Sequence, residues 1–227
     1  MSAGVAVAVI PHPDDESYAF AGTLAWLGAH RWSLRVLCMT RGEAGQDLRP
    51  SPDGPLGAAR AAELAASCAH LGATAELLDL PDGGIARHDV DLSPHLADAD
   101  LVLTLGDDGA YGHPDHLATT RLVERARFDA TLLHAAFPRG LFAPIHRIIG
   151  RHVALEIGVD ALGTDREAVD VVVDVRPYRD VKLACVAAHR SQVPDGDPRR
   201  FLRRGFIDAL LDEEWLVHVR GPAFEGP

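Results

Sequence analysis

A chain of 227 residues with 47% hydrophobic and 24% charged residues has the composition of an ordinary globular protein, which excludes a disordered or membrane-embedded class. Its formal net charge of −11 would repel phosphate backbones, so we expect no nucleic-acid partner. The first apolar run, Val5–Ile10, is too short to span a bilayer and lacks the flanks of a secretory signal. We therefore expect no membrane span and a cytoplasmic location.

Short apolar runs alternate with longer Ala- and Leu-rich segments along the first part of the chain. This alternation predicts βαβ units and a buried parallel sheet. Strands are predicted at residues 5–10, 34–40, 75–80, 101–105 and 130–136. Helices are predicted at residues 18–29, 56–71 and 116–127. The expected class is α/β.

The regular pattern weakens at residues 137–144, which are apolar but contain proline and glycine. This stretch is predicted to be a loop or lid that could line a site. A crossover packed on the core, or a subunit contact in a homo-oligomer, explains it equally well. The oligomeric state is left open.

The last third of the chain continues the α/β pattern. Strands are predicted at residues 169–175 and 215–219, and helices at 178–190 and 201–211. No repeat or low-complexity linker divides the sequence. We predict a single domain over residues 1–227, with a C-terminal extension of the same sheet from about residue 150.

An acidic motif lies between the first predicted strand and the first predicted helix. It reads Pro11-His12-Pro13-Asp14-Asp15-Glu16. Ligands of open α/β sheets bind at such strand ends. One histidine and three consecutive carboxylates would be costly to bury unpaired, and a bound cation accounts for them. A lone aspartate here would instead be explained as a helix cap.

A second motif follows the strand predicted at residues 101–105. It reads Tyr111-Gly112-His113-Pro114-Asp115-His116. Both motifs should meet at one edge of the sheet. An imidazole and a carboxylate from the first loop, with an imidazole from the second, would leave a fourth metal position open, as in hydrolytic zinc sites.

The two motifs together resemble the PIG-L or LmbE-like de-N-acetylases, whose hallmarks are a PHPDDE loop and an HPDH motif. Further matches lie at residues 40–45, Arg60 with Glu63, residues 80–84, and Lys182 with residues 188–192. The resemblance implies a Rossmann-like three-layer sandwich with a mostly parallel sheet. It also implies a divalent metal, usually zinc, and removal of an acetyl or other acyl group from an amino sugar.

Position by position, the resemblance makes His12, Asp15 and His116 the metal ligands. Asp14 is then free to act as general base on the attacking water. Zinc is the expected cofactor, although iron(II) or another divalent ion suits the same histidine and aspartate ligands.

The HPDH motif supplies further candidates. His113 resembles the residue that stabilises the oxyanion, which it could do if protonated. Asp115 would hold His113 in its tautomer and raise its pKa. Tyr111 matches a tyrosine that approaches the oxyanion in some relatives. Alternatively, Tyr111 packs on the rim and Asp115 caps the following helix.

Four other polar residues have weaker assignments. Arg41 and Asp82 resemble substrate-contacting positions, yet both would equally suit turns or surface ion pairs. Glu16 lies where a helix begins, so the helix dipole explains it and we give it a supporting role at most. The role of His189, near a predicted helix end, is left open.

These residues predict a hydrolase of linear amides: a zinc-dependent deacetylase acting on an amino sugar of the N-acetylglucosamine type. One alternative is an amidase for a thiol conjugate or an antibiotic intermediate. Another is a non-catalytic metal- or sugar-binding relative, which the intact motifs disfavour. No G-x-G-x-x-G follows the first strand, so a dinucleotide-binding enzyme is a poor alternative.

Overall fold

The computed structural model describes residues 3–193, 196–201, 204–224 and 226. Seven strands form one sheet: β1 Val5–Ile10, β2 Ser33–Thr40, β3 Thr74–Leu80, β4 Leu101–Leu105, β5 Thr131–Ala136, β6 Val171–Asp174 and β7 Glu213–Arg220. The α-helices are α1 Asp15–Ala19, α2 Ala21–Ala29, α3 Leu56–Leu71, α4 Ser93–Leu96, α5 Gly109–Gly112, α6 Pro114–Arg125, α7 Ala143–Ile149, α8 Arg179–Ala188, α9 Pro198–Phe201 and α10 Arg204–Asp212.

The strand order is β3-β2-β1-β4-β5-β7-β6. Strands β1 to β5 are parallel, whereas β7 runs antiparallel to both β5 and β6. The chain runs from β1 through β2 to β3 at one edge of the sheet, and then returns so that β4 lies on the other side of β1. The carboxyl ends of β1 and β4 therefore border the point where the strand order reverses, which is where open α/β sheets bind ligands.

Alternate residues of β1 enter two separate cores. Ala6, Ala8 and Ile10 belong to the core on one face of the sheet, while Val7 and Val9 belong to the core on the other. Helices α2, α3 and α8 supply the first core, and α6 supplies the second. Both faces are covered, so the mostly parallel three-layer α/β sandwich predicted from the sequence is confirmed.

The predicted strands agree with the observed ones to within two residues at either end, but three helical regions differ. The helix predicted at 18–29 is two helices separated at Phe20, a fully buried residue with φ −135°. The predicted loop at 137–144 runs into helix α7. The helix predicted at 201–211 is observed as α10, and residues 202 and 203 of that prediction lie outside the described residues. Among the described helices, none is long and apolar enough to cross a membrane.

Candidate metal centre and active site

Three loops converge at the carboxyl edge of the sheet. The loop after β1 carries His12, the loop after β3 carries Asp82, and the segment after β4 carries His113 and His116. The ring centroid of His12 lies 5.0 Å from that of His113 and 5.3 Å from that of His116. The two sequence motifs therefore meet in space, as their positions after neighbouring strands predict.

His12 is the centre of this cluster. Its Nδ1 atom lies 3.4 Å from Asp15 Oδ2, and its Nε2 atom lies 3.1 Å from Asp82 Oδ1 and 3.4 Å from Asp115 Oδ2. Nε2 is buried and has no hydrogen-bond partner of good geometry among the described residues. Burial opposes protonation, but the carboxylates of Asp115, Asp15 and Asp82 outweigh it and raise the pKa of His12. Three carboxylates around one imidazole call for a cation.

Asp15 bridges the two predicted histidine ligands. Its Oδ2 atom accepts the His12 backbone N–H at 3.0 Å, and its Oδ1 atom lies 3.6 Å from His116 Nε2. Burial would raise the pKa of Asp15, but the charges of His116 and His12 lower it below its usual range. The carboxylate is therefore in its ionised, ligand-competent form.

His116 lies at the start of α6 and is almost completely buried. Its Nδ1–H donates a hydrogen bond to the Gly109 carbonyl oxygen, 3.0 Å away. The lone pair of the neutral imidazole is then on Nε2, and the Tyr111 hydroxyl lies 3.3 Å from that atom. Burial lowers the pKa of His116 to about 4, so the imidazole is neutral near pH 7. A carbonyl-fixed, neutral imidazole is the usual form of a metal-binding histidine.

The cluster offers more donors than the predicted ligand triad. One ligand atom from each of His12, His113 and His116 lies within 4.8 Å of the others, and the same holds for His12, Asp82 and Asp115. Asp15 contacts two members of the first set. Imidazoles and carboxylates in this arrangement fit a divalent ion such as zinc.

Asp14 has a backbone conformation that is rare for a side-chain-bearing residue, with φ 130° and ψ −25°. Its N–H donates to Glu16 Oε2 at 3.1 Å, and its carbonyl accepts from Ser17 Oγ at 2.7 Å. Burial raises the pKa of Asp14 to about 6, against the lowering effect of Arg60. The two adjacent carboxylates have different partners: that of Asp15 contacts His12 and His116, whereas that of Asp14 lies 3.3 Å from Arg60 Nη2.

Arg60 is a site residue to which sequence reasoning gave no role. Its Nη1 donates to the Gly42 carbonyl at 3.0 Å, and its Nη2 donates to the Pro13 carbonyl at 2.6 Å. Nη2 also lies 3.3 Å from Asp14 Oδ2. The signal was present: Arg60 shares the buried face of α3 with Leu64 and other residues at helical spacing. A cation on such a face requires an acceptor.

His113 and Asp115 are placed differently from the prediction. The Asp115 carboxylate accepts the backbone N–H groups of Gly83 at 2.7 Å and Ile85 at 3.2 Å. It is the Asp115 backbone N–H that donates to His113 Nδ1, at 3.2 Å, as part of the α6 cap. Burial, with the charges of His116 and His12, lowers the pKa of His113 to about 3. His113 is therefore neutral with its proton on Nε2, because Nδ1 accepts.

The two predicted substrate contacts have different environments. Asp82 lies in the cluster, where its Oδ2 accepts the Ala44 N–H at 2.9 Å while Oδ1 approaches His12. Arg41 instead pairs with Asp79, with Nε 2.6 Å from Oδ1, and both side chains are about half exposed. The surface ion pair that the sequence left as an alternative for Arg41 is what the structure contains.

Comparison with known proteins places these features in a family. The family model described as GlcNAc-PI de-N-acetylase, PIG-L, matches residues 7–127, which include both site motifs. A 1D-myo-inositol 2-acetamido-2-deoxy-alpha-D-glucopyranoside deacetylase of Saccharomonospora viridis is 30% identical, over 93% of this chain and 93% of its own.

Two solved structures share the fold at lower identity. The N,N'-diacetylchitobiose deacetylase of Pyrococcus horikoshii is 19% identical with a TM-score of 0.63, over 95% of this chain and 84% of its own. The 4-carboxy-2-hydroxymuconate hydratase of Pseudomonas putida KT2440 is 18% identical with a TM-score of 0.65, over 100% of both chains. The fold thus supports more than one reaction, and the motif-bearing family match decides the assignment: the chain belongs to the PIG-L family of de-N-acetylases.

Proposed function

We propose that this protein is a zinc-dependent deacetylase that hydrolyses the N-acetyl group of a 2-acetamido-2-deoxy sugar carrying a small aglycone. The deacetylase activity follows from the family. The observation that carries the proposal is the meeting of His12, Asp15 and His116 beside a separately held carboxylate, Asp14. That arrangement provides metal ligands and a base as different groups.

The ligands proposed for the zinc are His12, Asp15 and His116. Support comes from the Gly109 contact, which leaves the lone pair of His116 on Nε2, and from Asp15, whose two carboxylate oxygens lie 3.4 Å from His12 Nδ1 and 3.6 Å from His116 Nε2. A zinc ion bound there would supply Lewis acidity, polarising the acyl oxygen and lowering the pKa of water. Iron(II) would suit the same atoms, so metal identity is part of the test.

The chain's own residues divide the proton transfers. Asp14 takes a proton from the attacking water as the water oxygen bonds to the acyl carbon. Neutral His113, with its proton on Nε2, donates a hydrogen bond to the acyl oxygen as negative charge develops on it. Tyr111 lies next to His116 and can donate to the same oxygen. The amine then leaves after receiving the proton held by Asp14.

Arg60 and Asp82 have supporting parts in this proposal. Arg60 fixes the carbonyl of Pro13 and the carboxylate of Asp14, and so orients the base. Asp82 is a partly buried carboxylate at the mouth of the same loop cluster, suited to accept a sugar hydroxyl. Arg41 has no assigned part, because Asp79 already pairs with it.

The substrate class comes from the relatives. The curated relative that covers 93% of this chain is named for a 2-acetamido-2-deoxy-glucopyranoside joined to inositol. An amino sugar with a polar aglycone is therefore the first substrate to test. The cytoplasmic location and the lack of a nucleic-acid partner stay predictions.

The test combines metal analysis with amine release. The purified protein is analysed for bound metals and assayed with N-acetylglucosamine, its inositol glycoside and glycosides with apolar aglycones. A thiol-conjugate amide and an acylated antibiotic intermediate are assayed in parallel. Each assay is repeated after chelation and after adding back zinc or iron(II). We expect release that chelation abolishes and zinc restores.

The outcomes separate the parts of the proposal. If iron(II) but not zinc restores amine release, the proposed metal site stands and zinc is rejected as its metal. Release only from a thiol-conjugate amide or an acylated antibiotic intermediate would retain the hydrolase and reject the substrate class. Chelator-insensitive release would reject the metal-dependent mechanism.

A further inference from the structure

A second group of potential metal ligands lies outside the deacetylase motifs. It consists of Asp107, Glu124 and His134, with one ligand atom from each within 4.8 Å of the others. His134 is on β5, beside Thr104 of β4. Asp107 is in the loop after β4, and Glu124 is in the last turn of α6. Glu124 follows His116 by eight residues on the same helix, which separates their backbones by about 12 Å.

His134 is the buried member of this group. The residue is only 5% exposed, and within the part of the chain that the structure describes its Nε2 atom has no hydrogen-bond partner. A buried imidazole nitrogen without a partner is costly. Both nearby acceptors are carboxylates, and neither is close enough to form a hydrogen bond with it.

The spacing fits ligands that share an ion. His134 Nε2, the nitrogen without a partner, lies 3.7 Å from Glu124 Oε1, whereas Asp107 Oδ1 lies 3.5 Å from the other ring nitrogen, Nδ1. One imidazole gives an ion a single nitrogen, so the pair of ligand atoms that fits directly is His134 Nε2 with Glu124 Oε1. Two ligands at tetrahedral zinc, each about 2.1 Å from the ion, are about 3.4 Å apart. Asp107 is largely exposed, and the three residues offer ligand atoms within 4.8 Å of one another, so the Asp107 side chain can turn toward an ion held by His134 Nε2 and Glu124.

An ordinary ion pair explains the group less well. Such a pair needs a protonated imidazole, and burial lowers the pKa of His134 despite the charge of Asp107. Burial and the charge of Asp107 also raise the pKa of Glu124.

We propose that Asp107, Glu124 and His134 form a second metal site, which binds a divalent transition ion of the zinc type. One imidazole and two carboxylates suit such an ion, and the exposed side of the group leaves room for water as a further ligand. The ion would join three elements: β5, the end of α6 and the loop after β4.

That loop gives the site a connection to the active site. Asp108 follows Asp107 directly, and its side chain accepts the Ala110 N–H at 2.8 Å and the Gly163 N–H at 2.8 Å. The next residue, Gly109, holds His116 through its carbonyl. An ion on Asp107 would therefore stabilise the loop that orients His116, which makes its role structural.

The experiment counts metal ions in the full chain. Protein is stripped with chelator, reloaded with micromolar zinc, freed of unbound zinc by gel filtration, and analysed for zinc per chain. We expect two ions in the wild type. Asp107→Asn with Glu124→Gln should lower the count to one, and so should Asp15→Asn, through loss of the other site. Combining all three changes should leave none.

Asp89→Asn is the matched control, because Asp89 is an exposed carboxylate near the same end of α6 that pairs with Arg125. It should retain both ions. A wild type with one ion that Asp107→Asn with Glu124→Gln does not remove would overturn the proposal. Circular dichroism checks that each variant is folded. Asp107→Asn alone is a second variant, because the exposed Asp107 side chain is not packed in the core. A wild type that binds one ion, removed by Asp107→Asn with Glu124→Gln but not by Asp15→Asn, would count against the deacetylase centre and not against this site.

Discussion

The Nε2 atom of His189 lies 2.7 Å from the Oε1 atom of Glu16, and both side chains are completely buried. The same Glu16 Oε1 accepts from Ser67 Oγ at 2.6 Å, and Oε2 accepts the Asp14 N–H. Glu16 thus holds the strained backbone of Asp14 and joins it to α3 and to the segment after α8. The helix dipole, which was the explanation from sequence, does not account for these contacts.

The Glu16–His189 pair predicts a pH-dependent stability. Burial opposes protonation of His189, but the charge of Glu16 outweighs it and raises the pKa above its usual value of 6.5. The protonated pair therefore stabilises the fold fully below pH 6.5, and this stabilisation is lost as the pH rises through the higher folded pKa. In metal-free protein, the difference in unfolding free energy between wild type and His189→Gln should therefore decrease as the pH rises above 6.5.

Urea unfolding at a series of pH values measures that difference. His152→Gln is the control, because His152 is exposed, and its difference from wild type should not follow the same curve. A His189→Gln difference that is constant with pH would show that the buried pair is not ionised in the folded state.

Asp14→Asn is expected to retain bound zinc and lose turnover by about 100-fold or more, the usual contribution of a general base. The amide keeps the size of the side chain but cannot take a proton. Zinc content and steady-state kinetics on one preparation test this. Asp53→Asn changes an almost fully exposed carboxylate and should leave kcat unchanged. Wild-type turnover in Asp14→Asn would remove Asp14 from the proposed role.

Arg60→Lys is expected to lower kcat by about tenfold and the unfolding free energy by about 1–3 kcal/mol, with zinc retained. A lysine ammonium cannot reach the Gly42 and Pro13 carbonyls together while contacting Asp14. Kinetics and urea unfolding give both quantities. Arg139→Lys is the control, since that arginine is half exposed in a surface pair. Equal effects of the two changes would contradict a special role for Arg60.

A buried ion pair joins β7 to α8, and its carboxylate also accepts hydrogen bonds from the start of α2. Lys182 Nζ pairs with Glu214, and Glu214 also accepts the N–H groups of Gly22 at 2.9 Å and Thr23 at 2.7 Å. Lys182→Met should lower the unfolding free energy by about 3–5 kcal/mol, because it leaves a buried carboxylate without its cation.

Adding Glu214→Gln to Lys182→Met should cost less than the sum of the single changes, because the neutral amide no longer needs a cation. Urea unfolding of the four proteins in this cycle supplies the coupling energy. Arg121→Gln, which breaks an exposed pair with Glu156, should change stability by less than about 1 kcal/mol. Additive effects of the two buried changes would mean that Lys182 and Glu214 act independently.

Much of the fold could be predicted from local pattern. The run Val5–Ile10 and the helix Leu56–Leu71 were predicted with the bounds that the structure has. Apolar runs of this length and spacing have one favourable way to bury their side chains. Phe20 shows the limit: a periodic pattern continues through it, but packing of its ring in the core ends one helix and starts another.

By itself, the sequence determined which elements form, their α/β class and the two strand-end loops that carry His12 and His116, because hydrophobic period and motif position are local properties. Only the tertiary structure decided which partners the polar side chains have. The Asp115 carboxylate accepts the amides of Gly83 and Ile85, and it is the backbone N–H of Asp115 that contacts His113. Glu16 binds a histidine 173 residues away. A buried polar group takes the partner that long-range packing brings to it, and that choice depends on the whole chain.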